Sequence, residues 1–282
     1  MVLVSIKEEL LKAQKGGYAI PLFDVFDMFG VEGVMDALTA KRAPTIIAIY
    51  SPFATRSNSK AFAAYILSRA SDTDVPVTLM LDHGVSVEAC LQALDYGFTD
   101  VMYDGSSLPL DENIANTRKV VQAAHARGVT AEAELGHVGM GSDYESTHLN
   151  RAGFTNPDAV ELFVKETGVD YLAIAFGNAH GLYKGEPRLD LDLVREVRKR
   201  VSTPLVMHGG TGLSNEQFHG AITAGISKIN FATSIMNTAV EFMKKAAGES
   251  DASIFTMTDG IRTAYREWCS RLYDVFGTSG KG

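Results

Sequence analysis

Residues 76–105 read PVTLMLDHGVSVEACLQALDYGFTDVMYDG and contain one full strand, helix and strand unit. Pro76 to His83 is a short run rich in apolar residues and predicts a strand. Val85 to Tyr96 then places apolar residues three and four apart, the spacing of a helix with one buried face, before Asp100 to Gly105 predicts a second strand. The alternation continues on both sides. Strands are expected at Tyr18 to Val25, Pro44 to Tyr50, Val129 to Gly136, Tyr171 to Gly177, Pro204 to Gly210 and Lys228 to Thr233, with helices such as Asn113 to Arg127, Pro157 to Thr167 and Leu191 to Val201 between them. Strict alternation implies a parallel sheet. Eight such units in 282 residues favour closure into a single α/β domain, a (β/α)8 TIM barrel over residues 1–282, with an open doubly wound sheet as the alternative.

Hydrophobic residues are 46% of the chain and charged residues 21%, the balance of a globular protein with a large core. The net charge is -8, and the 26 Lys and Arg residues form no basic run that would follow a phosphate backbone, so no nucleic-acid partner is expected. No apolar run approaches the ~20 residues that cross a bilayer, and the N-terminal residues lack the apolar stretch of a signal peptide. No membrane partner and a cytoplasmic location are therefore expected. Cys90 and Cys269 share no metal or redox spacing and read as reduced thiols without a functional part. His137 to Phe154 is the longest irregular stretch, of a length that marks a functional loop or lid.

In a barrel, the carboxyl ends of all strands face one mouth, and active sites are built there. Those ends carry Asp82-His83-Gly84, Asp104-Gly105-Ser106, Glu132-Ala133-Glu134, Asn178-Ala179-His180-Gly181 and His208-Gly209-Gly210. Neutral imidazoles with an optional carboxylate are the ligands of catalytic zinc, so His83, His180 and His208 are the expected ligands of Zn2+. One histidine alone would read as a hydrogen-bonded core or loop residue, whereas three at equivalent strand ends point to a metal. Glu134 can supply a fourth or transient ligand. Asp104 and Glu132 can hold a second or monovalent cation, orient the histidines, or serve as ordinary polar neighbours. His125, His148 and His219 lie away from strand ends and read as solvated surface residues. His208-Gly209-Gly210-Thr211-Gly212 leads into a helix expected from Ser214, whose free amides and dipole suit an anion. Asn230-Phe231-Ala232-Thr233 also runs directly into a helix, and loops after strands seven and eight are the recurrent phosphate site of this fold.

Six ordered motifs, LDHG at 81–84, DGS at 104–106, EAELG at 132–136, AHG at 179–181, HGGTG at 208–212 and KINFAT at 228–233, span most of the chain. On them the sequence resembles the class II, metal-dependent ketose-bisphosphate aldolases, and among these the tagatose-bisphosphate branch. The resemblance implies a lyase that reversibly cleaves a tagatose or fructose 1,6-bisphosphate, or a related ketose 1-phosphate, into dihydroxyacetone phosphate and an aldehyde. By the resemblance Asp82 is the catalytic acid/base that exchanges a proton with the C4 hydroxyl, and His83, His180 and His208 bind zinc. Gly181, Gly209, Gly210, Thr211, Asn230, Phe231, Ala232 and Thr233 would hold the dihydroxyacetone phosphate. A homodimer or homotetramer is implied too, with the helix from Thr258 to Phe276 available to a neighbour.

Three places depart from the family pattern. The first strand ends Phe23-Asp24-Val25 where the family has an asparagine facing the aldehyde-derived half of the substrate. A carboxylate there repels a phosphate dianion, which predicts an aldehyde whose phosphate is absent or placed elsewhere. Asn178 stands where a small Thr or Ser is usual and either shapes the pocket wall or caps a turn. Together with Ser51, Asp24 and Asn178 are the residues expected to set specificity on the aldehyde side. In the loop, Ser142 aligns with the family's glutamate, which leaves Asp143 or Glu145 to move the proton on the dihydroxyacetone carbon.

Other chemistries make different demands. A Schiff-base aldolase needs a lysine inside the barrel, yet the sixth strand, YLAIAFG, has none, Lys184 is in a loop, and Lys228 reads as lying on the stability face away from the mouth. A metal-dependent barrel hydrolase would place a His-x-His pair where this chain has Phe23-Asp24-Val25-Phe26. A non-catalytic sugar-phosphate-binding subunit would be expected to lack a ligand or the acid, and all four residues are present.

Overall fold

The computed structural model describes residues 5–143 and 153–282. Its strands are β1 Ile20–Asp24, β2 Thr45–Tyr50, β3 Val77–Gly84, β4 Asp100–Tyr103, β5 Thr130–Leu135, β6 Tyr171–Ile174, β7 Leu205–Met207 and β8 Ile226–Phe231. Neighbouring strands are parallel and β8 pairs with β1, so the sheet is a closed barrel and the open alternative is excluded. The helices in chain order are α1 Lys7–Gly16, α2 Met28–Lys41, α3 Ser51–Ala54, α4 Ser59–Ala70, α5 Val87–Asp95, α6 Leu110–His125, α7 Pro157–Thr167, α8 Leu191–Arg200, α9 Asn215–Ala224, α10 Thr233–Ala247 and α11 Ile254–Phe276. The predicted alternation is the observed one, and only element ends differ. Expected as Pro204 to Gly210, β7 stops at Met207 because the chain turns at Gly209, whose φ is 73°. Expected from Lys228, β8 begins at Ile226.

Side chains alternate across a strand, so each strand offers one row to the barrel interior and one to the helices. Leu22, Ala48, Met80, Met102, Ala173 and Val206 fill the interior, and Ile6 and Leu10 close it from the amino ends of the strands. Phe23, Ile47, Leu79 and Val101, in the opposite phase, join the core under the helices. The interior phase continues upward into polar residues. It carries Leu22 to Asp24, Met80 to Asp82, and Lys228 to Asn230, all of them buried.

The lower end has its own polar seal. Asp100 accepts hydrogen bonds from the Ile6 amide at 3.2 Å, from Tyr171 Oη at 2.8 Å, and from Thr130 Oγ1. Asp170 binds Lys7 Nζ at 2.8 Å and His125 Nε2 at 2.9 Å, so His125 is anchored at this end and is not simply solvated. His219 donates from Nε2 to the Val275 carbonyl at 2.9 Å. His148 lies outside the described residues.

The helix expected to be available to a neighbour packs one face on its own chain. α11 buries Tyr265, Cys269, Leu272 and Tyr273, and it lies close enough to α2 that a Cβ on Gly33 would sit 2.4 Å from the Arg262 carbonyl oxygen. No helix among the described residues is long and apolar enough to cross a membrane.

Burial pushes the Asp100 carboxyl up to about 7, against its hydrogen bonds, which favour the charged form. The folded protein therefore holds this proton more tightly than the unfolded chain, whose carboxyl titrates near about 3.9. Stability should fall as pH rises from about 4 to about 7 and remain lower above that. In urea melts at pH 5 and pH 8, wild type should lose about 2 kcal/mol relative to Asp100→Asn. Parallel profiles for the two proteins would contradict this.

Candidate active site

Consecutive strand residues point to opposite faces, so Asp82 and His83 can both reach the mouth only where β3 is distorted. The β3–β4 register shifts between Leu81 and Gly84, and His83 takes a φ of 50°, left-handed for a residue with a Cβ. That conformation costs roughly 1 kcal/mol or more. It turns both side chains into the same cavity.

Each of the three expected zinc histidines has one ring nitrogen held by an acceptor. His83 Nδ1 lies 2.7 Å from Asp104 Oδ2, His180 Nδ1 3.2 Å from the Val138 carbonyl, and His208 Nε2 2.8 Å from Glu132 Oε1. A carbonyl or carboxylate only accepts, so these nitrogens carry the hydrogens, and in the neutral rings that a metal requires the lone pairs lie on His83 Nε2, His180 Nε2 and His208 Nδ1. His180 Nε2, His208 Nδ1 and Glu134 Oε2 are buried with no hydrogen-bond partner among the described residues. One ligand atom from each histidine falls within 4.8 Å of the others, and His83, Asp104 and Glu134 form a second such group. His208 Nδ1 and Glu134 Oε2 stand 3.2 Å apart without the alignment of a hydrogen bond. Buried lone pairs and carboxylates facing one another repel unless positive charge joins them, and this donor set fits a zinc-type cation.

Proton affinities tell the same story. Burial, then the charges of His83 and His208, hold His180 down to about 4, which keeps its lone pair free. Burial opposes a proton on His208, yet Glu132 and Glu134 raise it to about 10, so with no cation beside it this ring takes a second proton on Nδ1, where a metal's charge would otherwise stand.

The loop of residues 137–141 pins His180 through Gly141 N to His180 O at 2.7 Å and His180 N to Gly139 O at 2.8 Å. Tyr183, which the sequence did not single out, accepts from Ala179 N at 2.8 Å and donates to Gly209 O at 3.1 Å, tying the loops after β6 and β7 together. A Cβ on Gly209 would lie 2.1 Å from the Ala179 carbonyl oxygen, so only glycine permits this approach.

Of the residues expected to hold the phosphate fragment, Gly181, Gly209, Thr211, Asn230, Ala232 and Thr233 line the cavity with Asp82, His83 and His180. Gly210 and Phe231 do not. The Gly210 amide is spent on Asn230 O at 3.2 Å, and the Phe231 ring packs outward on Phe218 and Phe276. At the expected anion-binding helix, Ser214 and Gln217 form a capping box at the start of α9 that occupies the Ser214 and Gln217 amides, and no residue of this helix lines the cavity. α10 has no side-chain cap at Ala232, although Ser234 N donates to Thr211 Oγ1 at 3.2 Å, and Ala232 and Thr233 line the cavity, so the helix end that faces the cavity is this one.

Asp24 lines the cavity beside Asp82, and its Oδ1 is buried with no hydrogen-bond partner among the described residues. Burial, then the charge of Asp82, pushes the Asp24 carboxyl well above the usual carboxylate range. Ser51 Oγ is likewise buried without a partner among the described residues, but Ser51 does not line the cavity. Asn178 is spent on the backbone: it accepts from Phe176 N at 2.8 Å and donates to Ile174 O at 3.3 Å and His208 O at 3.0 Å. It holds a turn and is no pocket wall. Asp143 is exposed on a short 3-10 turn outside the cavity lining, and Glu145 lies outside the described residues.

Lys228 requires a further correction. It is in the barrel interior, fully buried, with Nζ 2.7 Å from Glu132 Oε2. The strand starts two residues earlier than expected, so Lys228 is its third residue and not its first, and it shares the interior face with Asn230. Paired in this way and absent from the cavity lining, it offers no free amine to a carbonyl substrate.

Residues 4–281 match the family model described as fructose-bisphosphate aldolase class-II. The YdjI protein of Escherichia coli K12 is 36% identical over 264 residues, 94% of each chain. The fructose-bisphosphate aldolase of Geobacillus stearothermophilus is 40% identical over 236 residues, 83% of this chain and 82% of that one. The crystal structure of the YdjI aldolase of Escherichia coli K12 superposes with a TM-score of 0.89 at 33% identity, covering 99% of both chains. The chain belongs to the class II fructose-bisphosphate aldolase family and is a lyase.

Proposed function

We propose that this enzyme is a zinc-dependent aldolase that reversibly cleaves a phosphorylated ketose into dihydroxyacetone phosphate and an aldehyde bearing no phosphate near Asp24. It acts in the cytoplasm as a homodimer or homotetramer. The observation that carries the reading is the convergence of His83, His180 and His208, whose ligand atoms lie within 4.8 Å of one another, at the edge of a cavity lined by Asp82 and the start of α10. The name of the Geobacillus relative supports a ketose phosphate as substrate.

His83, His180 and His208 would hold the zinc, with Glu134 in reach. Zinc bound there supplies positive charge that stabilises the negative charge developing on the ketone-derived fragment. The chain's own residues do the rest. Asp82 takes the proton from the C4 hydroxyl during cleavage and returns it during condensation. Its Oδ1 accepts from Asn230 Nδ2 at 3.0 Å, which leaves the other oxygen for the substrate. The amides at the start of α10, with Gly181, Gly209 and Thr211, grip the phosphate and keep the reacting carbon aligned. Asp143 or Glu145 handles the proton on the dihydroxyacetone carbon. At the far side the Asp24 and Asp82 carboxyls together already carry negative charge in a buried cavity, so a further dianion is disfavoured there, while a neutral hydroxyl can accept from the protonated Asp24.

Chelation should abolish condensation of dihydroxyacetone phosphate with an aldehyde, and zinc should restore it. Asp82→Asn should lower kcat by about 100- to 10,000-fold with zinc content unchanged. Full activity in metal-free protein would refute the reading. In an aldehyde panel, wild type should favour glyceraldehyde over glyceraldehyde 3-phosphate, and Asp24→Asn should shift kcat/KM toward the phosphorylated aldehyde by about tenfold. A strong wild-type preference for glyceraldehyde 3-phosphate would contradict the part given to Asp24. Solvent hydrogen exchange into dihydroxyacetone phosphate should slow in either Asp143→Ala or Glu145→Ala, and unchanged exchange in both would remove these residues from the mechanism.

A further inference from the structure

Beneath the cavity lies a charged residue that none of these steps uses. Lys228 is fully buried, its register partners are the apolar Ile20 on β1 and Val206 on β7, and its Nζ lies 5.9 Å from the centre of the Tyr171 ring. Packing alone does not call for an ammonium there. Its Nζ donates to Glu132 Oε2 at 2.7 Å and to Asn230 Oδ1 at 2.8 Å. Glu132 Oε1 meets His208 Nε2 at 2.8 Å, and Asn230 Nδ2 donates to Asp82 Oδ1 at 3.0 Å. The four contacts make an unbroken path from a zinc histidine to the catalytic carboxylate, with Lys228 at its centre.

The direction of every bond on this path follows from one fact: an ammonium donates and never accepts. Asn230 must turn its oxygen toward Lys228, so its NH2 faces Asp82, where a flipped amide would set oxygen against oxygen. Glu132 must give one oxygen to the ammonium, which fixes the other beside His208 Nε2–H and leaves the Nδ1 lone pair facing the metal site. We propose that Lys228 is a positioning residue, fixing the Asn230 amide and the Glu132 carboxylate so that Asp82 and His208 are presented in their working directions. This rests on the reading of Asp82 as the acid/base and of the histidines as zinc ligands.

Lys228→Met leaves Glu132 buried and unpaired, which can prevent folding. Lys228→Met/Glu132→Gln leaves no unpaired charge and keeps an acceptor for His208, so the two variants are compared together with Asp82→Asn. Three quantities are read: zinc affinity by competition with a chromophoric chelator, hydrogen exchange into dihydroxyacetone phosphate, and kcat and KM for condensation with glyceraldehyde at saturating zinc. Zinc affinity should weaken about tenfold in Lys228→Met and less in the double variant. Condensation kcat should fall about 10- to 100-fold in both while KM and exchange stay within about threefold of wild type. A purely structural part for the lysine would lower exchange and condensation together. That parallel loss overturns the proposal, as do folded variants with wild-type kcat and zinc affinity. If only the double variant folds, its ratio of condensation to exchange decides. If Asp82→Asn still condenses, the reading of Asp82 fails, while the zinc competition still judges Lys228.

Discussion

Lone pairs on His83, His180 and His208 converge within a buried space bordered by Glu134, and such an arrangement is stable only when positive charge occupies it. Much of the upper barrel serves to keep those lone pairs aimed. Asp104, the Val138 carbonyl and Glu132 each take the opposite ring nitrogen, and the loop of residues 137–141 locks the His180 backbone. The kink at His83 carries local strain so that His83 and Asp82 can leave one strand side by side.

The same pleat serves stability below and chemistry above. In the lower interior it buries Leu22, Met80 and Met102, and near the mouth it delivers Asp24, Asp82 and Asn230. Lys228 sits where one regime passes into the other, and it balances a carboxylate that would be costly to bury alone. The cavity is divided by charge as well, with the start of α10 on one side and the buried Asp24 and Asp82 carboxyls on another.

Much of this was legible in the sequence because strand and helix periods differ and because a barrel gathers its strand ends at one mouth. That rule brought His83, His180 and His208 together from positions far apart in the chain. Lys228 was misplaced because the strand was read from the lysine onward; counted in steps of two from Asn230, it falls inside the barrel. Two helix starts were read as anion sites, and only the one after β8 lines the cavity; at the other, Ser214 and Gln217 already spell a capping box that occupies two of its amides. The partners of the histidines were not assigned uniquely, since Glu132 and His208 meet across the barrel and only the register decides which atoms touch. Asn178 was ambiguous for the same reason, as its amide is used by backbone groups of its own turn and of β7.

The central claim is that a cation sits among these imidazoles when the enzyme works. Anomalous diffraction from crystals of active, zinc-loaded protein, collected on both sides of the zinc absorption edge, tests it most directly. A single strong difference peak bonded to His83 Nε2, His180 Nε2 and His208 Nδ1 is the predicted result. Active crystals with no zinc signal among the three rings would contradict it.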